Sequence, residues 1–248
     1  MKSSTVDVPA PDGAADAYVA RPDDRPYPGV LFLMDAFGLR PAIEEMVERI
    51  AADGYVVLAP NLFYRTGRSP VVPVTDLADP ERHAAIFDVL RPMIEQLTPE
   101  RTAADGAAYL DYLAQVAVPG PFAMTGYCMG GRAGWRIAAA ERHRVAALGA
   151  FHTAGLVTEA PDSPHRSAGE LDGAELYFGF ADGDRYMTVE QIATLERALD
   201  DAAVRYRADI YDGAQHGYTM SDLPAHDEAA RERHFAELRA LLERTVGQ

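Results

Sequence analysis

Gly126-Tyr127-Cys128-Met129-Gly130-Gly131 holds the single cysteine of a 248-residue chain. The apolar run Pro121-Phe122-Ala123-Met124-Thr125 precedes it, and a helical pattern from Arg132 to Glu141 follows. The local reading is strand, tight turn, helix, with a nucleophile at the tip of the turn. The pattern is that of a nucleophile elbow, with sulfur in place of the more usual serine oxygen. The flanking glycines have a physical reason: strand and helix approach so closely there that side chains would collide. The following helix N-terminus brings its positive end to the sulfur, which favours thiolate over thiol. A lone cysteine is otherwise most often a small buried hydrophobe; the flanking pattern is what points to chemistry.

Outward from the elbow, strand-like and helix-like segments alternate. Ala15–Ala20 and Gly29–Met34 read as strands, the second a continuous apolar run. Pro41 opens a helix with Ile43, Met46, Val47 and Ile50 on one stripe, Gly54 ends it, and Tyr55–Ala59 is the next strand. Residues 60–98 break the rhythm with Pro60, Pro70, Pro73, Pro80 and Pro92, and carry a short helical stretch over Arg82–Leu90. This predicts an excursion at one end of the sheet. Thr102–Val116 reads as a helix, Val145–Phe151 as a strand, 152–172 as a polar loop and Glu175–Phe180 as a strand. Val189–Asp200 is helical, Val204–Tyr211 extended, and Asp227–Val246 an amphipathic helix with Phe235, Leu238, Leu241 and Leu242 inward. Long apolar strands separated by helices predict an α/β fold with a mostly parallel central sheet covered by helices on both faces. With no repeat, low-complexity tract or linker, the expectation is one domain over 1–248.

Composition narrows the function classes. Apolar residues make up 48% and charged residues 25%, enough material for a full core. One cysteine excludes an intramolecular disulfide and any multi-cysteine metal site. A functional thiol suits the reducing cytoplasm. Residues 1–7 have no apolar signal segment, and no run reaches the length of a membrane span. The net charge of −15 argues against nucleic acid and anionic membranes, and any anion site must be local. Lys2 is the sole lysine, and alanine and arginine abound, a bias of GC-rich bacterial coding sequences.

A thiol nucleophile needs a base and a group that orients the base. Among seven histidines, His216 lies in Asp212-Gly213-Ala214-Gln215-His216-Gly217-Tyr218, just past a strand end, where α/β active sites collect. His152 also follows a strand and is the competitor. His83, His143, His165, His226 and His234 fall on charged helices or polar loops and read as solvated. The acid is expected after the strand Glu175–Phe180, in Asp182-Gly183-Asp184. Asp182-Gly183 fits a plain turn better, which leaves Asp184 as the choice. The order nucleophile, acid, histidine is that of the α/β-hydrolases.

Taken together these pieces resemble the dienelactone hydrolase (carboxymethylenebutenolidase) family of α/β-hydrolases over essentially the whole chain. The residues carrying the resemblance are Met34-Asp35-Ala36-Phe37-Gly38, Ala59-Pro60-Asn61-Leu62-Phe63-Tyr64-Arg65, the cysteine elbow, Asp184, and Gly213–Tyr218. The resemblance implies a Cys128-His216-Asp184 triad and no cofactor or metal. It also implies an oxyanion hole from the backbone N–H groups of Ala36 and Met129, and an acid that holds the resting thiol at Asp35. The family has glutamate at that last position, one methylene longer. The substrate implied is a small lactone or ester, handled by a monomer or small homo-oligomer. Where the family's dienelactone-cleaving members carry a serine and an arginine for the substrate carboxylate, this chain has Gly217 and Met220. A second family arginine falls near Arg82 or His83. The expectation is therefore weak handling of carboxylate-bearing lactones, unless Arg65, Arg68 or Arg185 replaces the missing donors.

Leaving-group chemistry narrows the substrate independently. A thiol has a pKa of about 8.5 and a simple alcohol lies nearer the roughly 15.7 of water, so sulfur leaves more readily than an alkoxide. Enol lactones and aryl esters, whose leaving oxygen is already stabilised, are the natural substrates. Two other readings stand beside this one. Class I glutaminase domains also use Gly-x-Cys-x-Gly, but their pattern asks for a glutamine and a glutamate where Arg132 and Tyr218 stand. A hydrolase fold kept for ligand binding or thiol redox sensing is the non-enzymatic alternative.

Overall fold

The computed structural model describes residues 1–73, 77 and 79–247, and of Pro80, His83 and Ala84 the backbone alone. The strands are Lys2–Ala10 (β1), Gly13–Arg21 (β2), Gly29–Leu33 (β3), Val56–Pro60 (β4), Phe122–Tyr127 (β5), Val145–Phe151 (β6), Glu175–Ala181 (β7) and Arg205–Tyr211 (β8). They form one sheet in the order β1-β2-β4-β3-β5-β6-β7-β8. β1 and β2 form an antiparallel hairpin, and β2 runs antiparallel to β4. Every other pairing is parallel. All residues of β3, β4 and β5 are buried, as their unbroken apolar sequences require of central strands covered on both faces.

The helices are Pro41–Ala52 (α1), Pro80–Glu95 (α2), Pro99–Val116 (α3), Met129–Ala140 (α4), Val189–Asp201 (α5) and Glu228–Thr245 (α6). α1 packs on β2 and β4, α6 on β5 to β7, and the two are tied together by Arg49–Glu232 and Arg231–Glu45. α3 and α4 pack on the other side, against β3 to β6, and α4 and α5 both meet a 3₁₀ segment at Pro164–Glu170. This is the two-faced α/β architecture that the alternating pattern predicts, and it fits the α/β-hydrolase fold that the resemblance implies.

Local sequence explains the ends. Gly54 at φ 101° adopts the left-handed turn that stops α1. The Thr98 hydroxyl accepts from Arg101 N at 3.3 Å, and Pro99 takes the first helical position, so α3 begins earlier than the expected Thr102. α2 likewise exceeds the expected Arg82–Leu90: Asp79 caps it, Pro80 starts it, and it continues through Pro92. The polar loop 152–172 contains the 3₁₀ segment.

Two sequence expectations need correction. β1 is absent from the sequence reading because it is an edge strand with only Val8 buried, so its alternation is faint. His234 is not solvated: it is 0% exposed on the inner face of α6, its Nε2 2.8 Å from the Tyr127 hydroxyl. Burial holds its pKa down at about 3.

Candidate active site

Because β3 and β5 to β8 run parallel, the loops leaving their C-terminal ends gather at one sheet edge. Those loops line a cavity of ≈ 730 Å³. Asp35 and Ala36 come from the loop after β3, Cys128 from the elbow, His152 from the end of β6, Asp184 from the loop after β7, and His216 from the loop after β8. Phe87 and Ile94 of α2 complete the wall, so the proline-rich excursion covers the site.

Cys128 sits between β5 and α4 at φ 53° and ψ −118°, a conformation L-residues avoid. The backbone holds it there: Cys128 N donates to Phe151 O at 3.1 Å, and Cys128 O accepts from Gly131 N and Ala154 N, both at 3.2 Å. A Cβ on Gly130 would run into the Leu33 carbonyl oxygen, which is why glycine is needed at the start of α4. The result is a partly exposed thiol against the first turn of a helix.

His216 Nδ1 donates to Asp184 Oδ2 at 2.6 Å, and Asp184 Oδ1 accepts from Tyr186 N at 2.8 Å. The sequence reading preferred Asp184 to Asp182, and in the structure it is Asp184 that reaches the imidazole. Asp182 Oδ2 instead accepts from Gly213 N at 3.0 Å and braces the turn before His216. Nε2 of His216 is buried and makes no well-aligned hydrogen bond. Burial alone would depress this imidazole, but the charge of Cys128 and the contacts with Asp184 and Cys128 outweigh it, and the pKa rises to about 10. The protonated imidazole of His216 is thus favoured beside Cys128 and Asp184.

His152 is a wall of the site. It is 1% exposed, its Nε2 lies 2.8 Å from Thr219 Oγ1, and its ring packs edge-on to His216 at 5.2 Å. Burial, reinforced by the charge of His216, pushes its pKa far down, so it stays neutral. Among the described residues no carboxylate accepts from its ring.

The N–H of Ala36 donates to no described residue, and that of Met129 opens α4, where no helical acceptor exists. Both residues line the cavity. Asp35 departs from the thiol-holding role. Its two oxygens accept from Arg40 Nη1 and Nη2 at 2.7 and 2.9 Å, and Oδ1 also accepts from Phe37 N. Arg40 reaches on to Asp222, and Asp35 makes no hydrogen bond to Cys128. The shorter aspartate side chain is held by a buried guanidinium that fixes the loop after β3.

The substrate-binding arginines need the largest correction. Arg65 is held by Asp105 and Asp12, and Arg68 by Asp7; neither lines the cavity. Arg185 does line it, lying over the Tyr186 ring and donating to its hydroxyl at 2.8 Å. Of His83, the side chain lies outside the described residues. The sequence reading missed Arg132, whose guanidinium lines the cavity one helical turn beyond Cys128. The i, i+4 spacing on α4 was the available signal. Among the described residues no cluster of three or more His, Cys, Asp or Glu side chains is placed to hold a metal, and no helix is long and apolar enough to cross a membrane.

Known proteins resemble this chain over most of its length. A protein of Escherichia coli named "Putative carboxymethylenebutenolidase" is 26% identical over 234 residues, covering 91% of this chain and 80% of the relative. A Synechocystis protein of the same name is 27% identical over 231 residues, covering 88% and 87%. The crystal structure of a "Putative Dienelactone Hydrolase" from Klebsiella pneumoniae superposes with a TM-score of 0.83 at 22% identity over 97% of both chains. The dienelactone hydrolase family profile matches residues 15–246, and the chain belongs to the dienelactone hydrolase family.

Proposed function

We propose that this protein is a cysteine-dependent hydrolase of lactones or activated esters that works through a thioester on Cys128. The observation that carries the reading is the 2.6 Å bond from His216 Nδ1 to Asp184, in the same cavity as a strained cysteine at a helix N-terminus. Family membership supports the reaction class, and the chemistry follows from the residues.

The thiolate of Cys128 attacks the carbonyl carbon, forming a C–S bond while the carbonyl π pair moves onto oxygen. The free N–H groups of Ala36 and Met129 are the donors for that oxyanion. As the intermediate collapses, the bond to the leaving oxygen breaks and His216 gives it the Nε2 proton. His216, now neutral, takes a proton from water as that water attacks the thioester. The second tetrahedral intermediate expels the thiolate, and the acid product leaves with the imidazolium restored. Asp184 keeps the ring oriented and stabilises its charged form throughout. Protonation by His216 narrows the disadvantage of an oxygen leaving group against sulfur. Stabilised leaving groups such as enolates and phenolates suit the site best.

Turnover of 4-nitrophenyl acetate tests the reading, with Cys128→Ala as control. Catalysis that vanishes in the variant is the expected result. Equal turnover by the two proteins would remove Cys128 from the mechanism.

A further inference from the structure

Two guanidinium groups line the cavity, and they differ in kind. Arg185 is exposed and already bonded to Tyr186, and the exposed acid Asp182 lines the same cavity. Arg132 is half-buried and makes no hydrogen bond or ion pair with any described residue. Burial disfavours its charge, yet a guanidinium does not give up its proton at ordinary pH. The nearby acids are otherwise engaged: Asp35 by Arg40, Asp184 by His216, and Asp162 by Arg136. Arg132 is thus a half-buried cation beside Cys128 with no fixed carboxylate partner, and a planar anion that replaced water on it would gain charge-assisted hydrogen bonds. The surroundings also leave it room. Gly155, at φ 71°, comes so close that a Cβ there would lie 3.3 Å from Arg132 Nη1.

We propose that Arg132 is the anion-binding subsite of this pocket and takes a carboxylate carried on the acyl part of the substrate. The proposal rests on the hydrolase reading above for its word "acyl", and on the unpartnered guanidinium for the subsite itself. Geometry chooses the acyl side. The acyl part becomes bonded to Cys128, and Arg132 lies one helical turn beyond that residue on α4, in the wall of the same cavity. Charge and shape choose the carboxylate: one planar fork with one positive charge matches a singly charged planar anion, in two parallel hydrogen bonds. Gln191, on the same wall, has its amide committed to Val157 O and Thr188 N, so Arg132 is the donor. This moves anion recognition away from the His216 loop, where Gly217 and Met220 offer no side-chain donor, and revises the expectation of weak activity on carboxylate-bearing substrates.

The test compares half-esters of dicarboxylic acids with their neutral counterparts. The probes are mono-4-nitrophenyl glutarate, adipate and suberate, each paired with its methyl ester. For the wild-type protein, kcat/KM is expected to favour the acid over the methyl ester for at least one chain length. In Arg132→Gln that acid-to-ester ratio should fall at least tenfold, and Arg132→Lys should recover part of it. A ratio unchanged by Arg132→Gln overturns the proposal, including the case in which both substrates slow equally, since that would assign Arg132 to the nucleophile. A binding measurement separates this subsite from the hydrolase reading. Cys128→Ala protein titrated with monomethyl adipate should bind it at least tenfold more tightly than the same protein carrying Arg132→Gln. Binding that depends on Arg132 without turnover would keep the subsite and discard the hydrolase. Turnover whose ratio ignores Arg132 would do the reverse.

Discussion

His216 commits Nδ1 to Asp184 and leaves Nε2 facing the cavity, which divides the work between the two residues. His216→Ala removes the proton carrier and should lower kcat by at least about 10²-fold. Asp184→Asn keeps the shape but weakens the orientation and charge stabilisation of the ring, so kcat should also fall by a large factor, less than for His216→Ala. Asp182→Asn loosens only the Gly213 turn and should be mild. Steady-state rates on 4-nitrophenyl acetate decide the order, and a severe Asp182→Asn with a mild Asp184→Asn would reverse the assignment. These positions were legible because each follows a strand directly, and chain order alone brings them to one edge. Arg132 was not, because a charged residue inside a helix reads as a solvated face until the cavity wall is known. His234 was legible in principle: it shares the i, i+4, i+7 stripe of Leu238 and Leu241, but neighbouring charges masked it.

At the scale of elements, two joints hold Cys128 and the loop after β3 in place. Gly130 meets the Leu33 carbonyl where α4 crosses β3, and an added methyl must push backbone rather than a flexible side chain. Gly130→Ala is expected to lower stability by about 1–3 kcal/mol and to slow acylation beyond what that loss explains. Urea unfolding and single-turnover acylation, measured side by side, check both parts. The second joint is the buried Arg40–Asp35 pair after β3. Arg40→Gln leaves Asp35 buried without its partner, at an expected cost of about 3–5 kcal/mol. A urea midpoint unmoved by that change would show that the pair does not fix the loop. The central strands and most helices could be read from apolar runs, prolines and caps. β1 could not, since an edge strand with one buried residue has almost no period-two signal. The thiol-holding role of Asp35 failed for a three-dimensional reason: Arg40 on the neighbouring turn reaches the carboxylate first.

For the whole molecule, the histidines set opposing pH trends. His234 is held at about 3, so the unfolded chain binds its proton first as pH falls below roughly 6.5. Folded stability should drop with acid, by about 2 kcal/mol between pH 6.5 and pH 5 from this residue. His152 acts in the same direction. His216 has the opposite sign: its folded pKa is raised to about 10, so its contribution is full below roughly pH 6.5 and is lost as pH rises through 10. His234→Phe retains ring volume and should flatten the acid limb of stability against pH, as read from urea midpoints at pH 5 and pH 7; an unchanged slope would contradict the neutral buried imidazole. All of this places the Cys128 sulfur at the meeting point of sheet, helix and loops, and the central claim is that it carries the acyl group. The most direct measurement is intact mass after rapid quenching of a reaction with 4-nitrophenyl acetate, followed by peptide mapping. A single acetyl group on Cys128, removed by neutral hydroxylamine and absent from Cys128→Ala, is the predicted result; an acetyl adduct that persists in Cys128→Ala while turnover continues would contradict it.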